Sequence, residues 1–321
     1  MRTKLSDVLT QTHGHMVIDG SMSTGLELLG CTMTDSLWTA KILAEQPEKV
    51  KEVHLEYFRA GADCGITCSY QATIPGLLAH GYSQQEAEEI IIRSIKVFLE
   101  ARTQWWEKEG KTAGRAYPLC LAGCGPYGAY LADGSEYRGH YGVSKEVLQE
   151  FHKRRAELLW QAGADLLLFE TEPSLEEALI EAEIAEAMGA DYWLSFSCQN
   201  GTLTNEGDSL TDCAKILSHN HPHLRMLGVN CTPPHFMPEA IAALQKGTSL
   251  PIGVYPNSGE IYDAKTKTWH GEREKQQSFG DFAKAWYLAG ASAVGGCCRT
   301  ASSHIKQVNA VRNNCLAGIN I

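Results

Sequence analysis

The 321-residue sequence contains no apolar run as long as a membrane span. Met1 to Met16 is polar and mixed in charge, without the apolar core of a secretory signal. A cytoplasmic chain without a membrane partner is expected. Basic charge is short as well: 28 Lys and Arg stand against 38 Asp and Glu, a net charge of −10, with no basic stripe. Such a chain is a poor partner for nucleic acid or anionic lipid. There is also no linker, charge block or low-complexity tract, so residues 1–321 are read as a single domain, expected as a monomer or small homo-oligomer. The length suits two domains or one large α/β barrel, and a core of that size needs no disulfide staples.

Cysteine, by contrast, is abundant, and its count of 11 is odd. Without a secretion signal, free thiols or metal ligation are expected rather than bridges. The sequons Asn200-Gly201-Thr202 and Asn230-Cys231-Thr232 are then chance matches.

One local pattern recurs. Ala60-Gly61-Ala62-Asp63, Ala162-Gly163-Ala164-Asp165, Met188-Gly189-Ala190-Asp191 and Ala289-Gly290-Ala291-Ser292 each precede an apolar run. Each reads as a helix ending at a glycine, a short turn, then a strand. Eight runs have strand length: Met16–Asp19, Cys64–Ser69, Leu119–Gly123, Leu166–Glu170, Trp193–Ser197, Met226–Asn230, Ile252–Tyr255 and Ala293–Gly296. Helical patterns lie between them, at Pro47–Ala60, Gln84–Trp106 and Ser144–Ala162. Ser174-Leu175-Glu176-Glu177 reads as a capping box. Eight strands alternating with helices predict a TIM-type (β/α)8 barrel, with a doubly wound open sheet as the alternative. Two connections, Tyr127–Val143 and Pro256–Glu274, follow strand C-termini and are long enough to be lids or donor-binding loops.

The strongest chemical motif is Gly295-Gly296-Cys297-Cys298-Arg299-Thr300 at the end of the last strand. Adjacent strand residues face opposite ways. Both cysteines serve one metal only if the strand breaks, which the two glycines allow. Cys231 ends the sixth strand, and in a barrel strand ends six and eight open on the same face. Three thiolates with a fourth position open is the pattern of catalytic zinc. The spacing equally permits three buried small hydrophobes. The other eight cysteines read as inert core or surface thiols.

Asp19, Thr67 and Glu170 also sit at strand ends. A carboxylate there holds an ammonium group, and hydroxyls hold a carboxylate. Helix capping is the competing role, favoured for Ser69 and Thr73. Asp19 and Glu170 also fit the acid/base pair of a glycoside hydrolase, though that leaves Cys297 and Cys298 unexplained. A metal-holding protein without catalysis is a further reading. Tyr127, Tyr130, Tyr137 and Tyr141 either wall a cationic donor or pack their loop. Gly123-Cys124-Gly125-Pro126-Tyr127-Gly128 matches a dinucleotide fingerprint but is discounted, since Pro126 holds the turn and no helix is expected directly after it. His219, His221 and His223 read as a solvated loop at the far end of the barrel.

Val17-Ile18-Asp19-Gly20-Ser21-Met22-Ser23-Thr24, Gly228-Val229-Asn230-Cys231 and Gly295-Gly296-Cys297-Cys298-Arg299-Thr300 together resemble the homocysteine S-methyltransferase family. Asp35-Ser36-Leu37-Trp38, Ser69-Tyr70-Gln71-Ala72-Thr73, the loop from Gly125 to Gly139 and Tyr255-Pro256-Asn257-Ser258-Gly259-Glu260 resemble its S-methylmethionine-using branch. The likeness spans nearly the whole chain. It departs at Gly20 to Thr24, where relatives often carry alanines, a small-for-small change. The resemblance implies a (β/α)8 barrel with Zn2+ on Cys231, Cys297 and Cys298, which also form the catalytic centre. It places Asp19 and Glu170 on the homocysteine amino group and Thr67 near its carboxylate, and it brings Asn230, Tyr127 and Tyr130 into the substrate site. The implied reaction moves a methyl group from S-methylmethionine or S-adenosylmethionine to homocysteine, giving methionine. Without a pterin or cobalamin domain, methionine-synthase chemistry is not expected.

Overall fold

The computed structural model describes residues 2–33, 35, 37–263, 268–270 and 278–316. Eight parallel strands form one sheet: β1 (Met16–Val17), β2 (Cys64–Ile66), β3 (Leu119–Cys124), β4 (Leu166–Glu172), β5 (Tyr192–Phe196), β6 (Leu224–Asn230), β7 (Ile252–Tyr255) and, after a small antiparallel hairpin of β8 (Ile261–Asp263) and β9 (Thr268–His270), β10 (Ala293–Val294). Their order is β1-β10-β7-β6-β5-β4-β3-β2. The two ends of that order meet. Ile18 bridges Cys64 in parallel fashion, and the Asp63 N–H donates to the Val17 carbonyl at 2.7 Å. The sheet is therefore a barrel, and the doubly wound alternative falls.

The recurring glycine motif explains how each helix hands over to its strand. Gly61, Gly163, Gly189 and Gly290 have φ of 118°, 109°, 61° and 103°, a region open to glycine at little cost. The aspartate that follows has a second use. Asp63 Oδ2 accepts the Val17 N–H at 2.9 Å, and Arg115 and Arg312 grip the carboxylate at 2.9 and 3.0 Å. Asp165 Oδ2 accepts the Cys120 N–H at 2.9 Å and pairs with Arg102. Two copies of one motif thus tie strand starts together at the base of the barrel. His219, His221 and His223 lie at this same end, just before β6, as expected.

The barrel interior is packed by Met16, Ile18, Leu119, Leu121, Leu166, Leu168, Trp193, Met226 and Tyr255. Trp193 fits only because β6 and β7 present glycines to it. A Cβ on Gly253 would overlap the indole, and one on Gly228 would lie 3.0 Å from Nε1. A larger apolar layer lies between strands and helices, where each buried Val, Leu or Phe contributes about 1.5–3 kcal/mol. The helix Pro47–Ala60 buries Val50, Val53, Tyr57 and Phe58 there. Ser83 and Glu86 complete a capping box for the helix Gln84–Trp105. The box expected at Ser174 is only half made. Ser174 takes the Glu177 N–H at 3.2 Å, but the Glu177 carboxylate turns away to the Tyr127 N–H and His152.

Candidate metal centre and substrate cavity

At the C-terminal ends of the strands the chain builds a cavity whose floor is sulfur. Cys231 follows β6 with φ of 48°, so the backbone leaves strand geometry there. Cys297 and Cys298 follow β10 after two glycines. Neither glycine has positive φ; space is what requires them. A Cβ on Gly295 would sit 2.6 Å from Ile18 Cβ, and one on Gly296 would overlap Thr300. The chain therefore runs close against β1 and β7, with the Gly296 N–H on Asp19 O at 3.1 Å and the Cys297 N–H on Pro256 O at 2.8 Å. The Thr300 hydroxyl closes the turn on the Cys297 carbonyl at 2.6 Å.

This routing brings three sulfurs together. Cys231 Sγ lies 3.3 Å from Cys298 Sγ, Cys297 Sγ lies 3.9 Å from Cys298 Sγ, and all three fall within 4.8 Å of one another. Ligands about 2.3 Å from a tetrahedral zinc are about 3.8 Å apart, so the spacing fits such an ion. Among the described residues no other group of cysteine, histidine and carboxylate side chains is so placed. Cys231 is held well below the usual thiol range by hydrogen bonds from Cys297 and Cys298, whose own thiols are pushed up by that same sharing. The Tyr137 hydroxyl lies 3.2 Å from Cys231 Sγ.

Around the sulfurs stand the expected carboxylates. Glu170 is on the cavity wall, its pKa pushed up to about 8 by burial, with the charges of Cys231 and Asp19 adding. Asp19, two residues past β1, is buried and does not itself line the cavity. Its Oδ2 accepts the Ile66 N–H at 3.0 Å, its Oδ1 has no partner among the described residues, and burial pushes its pKa well up. Thr67 lines the cavity and shares its hydroxyl with Ser69 at 2.7 Å. Ser69 is not a helix cap, as the sequence suggested, since its hydroxyl donates to Gly123 O at 2.7 Å; Thr73 does cap the helix Ile74–Ala79. Asn230 does not reach the cavity wall. Its amide bridges the Thr171 N–H and hydroxyl at 2.8 Å each, fixing a residue with φ of 69°, and its Nδ2 lies 4.0 Å from Cys297 Sγ.

Tyr127 and Tyr130, expected in the substrate site, pack elsewhere. They form an aromatic cluster with Phe151, at ring distances of 5.0 and 5.6 Å, and neither lines the cavity. The same loop instead sends Ala132, Gly134, Glu136 and Tyr137 to the wall, which Met22, Met33 and Trp38 also line. A short helix, Tyr127–Leu131, does follow Pro126, contrary to expectation, but the first N–H is taken by Glu177. Of the second long connection, residues 264–267 and 271–274 lie outside the described residues.

A (β/α)8 barrel with a three-cysteine metal centre at its mouth is the class these features define. The family profile described as homocysteine S-methyltransferase matches residues 16–311. A homocysteine S-methyltransferase of Bacillus subtilis strain 168, YbgG, is 46% identical over 94% of this chain and 96% of its own, and that of Escherichia coli K12 is 44% identical over 92% and 94%. The chain belongs to the homocysteine S-methyltransferase family, and is thus a methyltransferase. The crystal structure of the E. coli enzyme MmuM in its metallated form superposes with a TM-score of 0.82 at 39% identity, covering 92% of this chain and 96% of that one.

Proposed function

We propose that the chain moves a methyl group from a sulfonium donor, S-methylmethionine or S-adenosylmethionine, to the thiol of homocysteine, with zinc held by Cys231, Cys297 and Cys298. The observation that carries this reading is the meeting of three sulfurs, from stretches 66 residues apart in sequence, on the floor of a cavity lined with carboxylates. Thiolates favour a soft, tetrahedral ion, and the sulfur spacing suits zinc.

A free thiol has a pKa of about 8.5 and is mostly protonated at neutral pH; bound zinc would keep such a thiol as thiolate. The chain's own residues supply the remaining requirements. Asp19 and Glu170 receive the homocysteine ammonium group, whose charge restores their ionisation against the pull of burial. Thr67 stands where the carboxylate is held. Asn230 locks Thr171, and so shapes the floor rather than touching substrate. The cavity walls align the thiol with the donor methyl and exclude water. The departing thioether is neutral, so no acid need protonate it. Eleven unpaired thiols suit a reducing cytoplasm, and residues 1–321 act as one domain.

Metal analysis combined with a methyl-transfer assay across sulfonium donors tests the reading. The wild-type protein should hold about one zinc per chain and methylate homocysteine. Cys297→Ser should lose zinc and activity together while circular dichroism keeps its shape. Full turnover in that variant would overturn the proposal.

A further inference from the structure

The proposed donor is a cation, and the cavity wall carries four carboxylates: Glu27, Asp35, Glu136 and Glu170. Three have company. Asp35 accepts from Lys41 at 3.0 Å and from the Leu37 N–H at 2.9 Å, and faces His80 at 3.4 Å. Glu27 lies 3.7 Å from Arg299, the only cationic side chain on the wall among the described residues, which Glu260 also holds at 3.3 Å. Glu170 is assigned above to homocysteine. Glu136 is different: its Oε2 is buried with no hydrogen-bond partner among the described residues.

Its placement is fixed from several sides. The turn Ser135–Tyr137 is tied by the Ser135 N–H to Asp133 Oδ1 at 3.0 Å and by the Ser197 hydroxyl to the Glu136 carbonyl at 3.1 Å. The next residue, Tyr137, puts its hydroxyl on Cys231 Sγ. Glu136 is therefore held beside the sulfur floor, on a wall it shares with Tyr70, Tyr137 and Trp38. Burial pushes its pKa up to about 7, and the charge of Cys231 adds to that. A buried carboxylate beside anionic sulfur is unfavourable until a cation arrives.

We propose that Glu136 is the counter-charge for the donor's sulfonium, and that it sets the preference of the cavity for a cationic over a neutral ligand of the same shape. This rests on the sulfonium-using reading above. When the methyl group leaves, its bonding electron pair stays on the donor sulfur. The sulfonium becomes a neutral thioether, and Glu136 then holds product less firmly than donor.

Two ligands separate this charge from all other contacts: S-methylmethionine and homoleucine, in which a CH group replaces the sulfonium sulfur while the amino-acid end is unchanged. Their dissociation constants for the zinc-loaded protein, without homocysteine, are measured by calorimetry. The wild-type protein should prefer S-methylmethionine. Glu136→Gln should weaken its binding by about tenfold or more and leave homoleucine unchanged, and Glu136→Asp should keep most of the preference. Equal weakening of both ligands, no weakening of either, or a wild-type protein that does not prefer the sulfonium would each overturn the assignment. A wild-type protein that prefers the sulfonium through Glu136 yet leaves homocysteine unmethylated would overturn the proposed function alone.

Discussion

Glu170 and Asp19 are carboxyl groups that burial drives toward the neutral form, and Asp19 keeps one oxygen unpaired among the described residues. Such groups destabilise the empty fold and are relieved by a bound ammonium. Glu170→Gln should therefore raise the KM for homocysteine by about ten- to a hundredfold, as loss of a charge-assisted hydrogen bond does, with donor KM and zinc content nearly unchanged. An equal rise in both KM values would contradict the assignment. That Cys231, Cys297 and Glu170 would reach the mouth of the barrel was legible because each closes an apolar run, and a strand end in a barrel opens on one face. Tyr127 and Tyr137 could not be told apart in that way. They share a loop without regular periodicity, and the local turn at Ser135–Tyr137 sends one to the cavity while Phe151 takes the other.

Among the elements, β4 and the helices Lys145–Gln161 and Leu175–Ala187 enclose a second buried polar group: Glu172, Glu177, Glu181, His152 and Arg155. Arg155 donates to Gly125 O at 2.6 Å and to Tyr70 O at 3.4 Å, and Glu177 accepts the Tyr127 N–H. This group fastens the roots of two segments that wall the cavity. Burial pulls the His152 pKa down and pushes those of Glu172 and Glu181 well up, with their neighbouring carboxylates adding. An acid whose pKa is raised by folding keeps its proton in the native state after the unfolded chain has lost it, at about pH 4.3. Stability is then lost as pH rises above that point. Glu172→Gln removes the titration with little change of shape. Its melting temperature should match wild type near pH 4 and exceed it by about 3 °C or more at pH 8. A variant that loses ground to wild type as pH rises would contradict this. The residue pattern at Ser174 and Glu177 hid the network, because it reads equally well as a local capping box.

At the scale of the whole molecule, all eight strands were readable as apolar runs, since strands covered on both faces are apolar almost throughout. Their ends shifted where backbone geometry changes: β2 stops at Ile66, β10 at Val294, and β4 runs on to Glu172 through a shift of register between Glu170 and Glu172. Closure was expected from eight strands alternating with helices, but the pairings that make it were not readable, because the bridge from Ile18 to Cys64 and the aspartate ties at the base join segments far apart in sequence. The strand order β10-β7-β6 sets the end of β6 one strand away from the end of β10, and the proposed chemistry depends on that meeting. X-ray absorption at the zinc edge of the purified protein, with and without homocysteine, tests it most directly. Three sulfur neighbours at about 2.3 Å, rising to four when homocysteine is added, is the expected result. A first shell of nitrogen and oxygen alone, or a sulfur count that homocysteine leaves unchanged, would contradict the account.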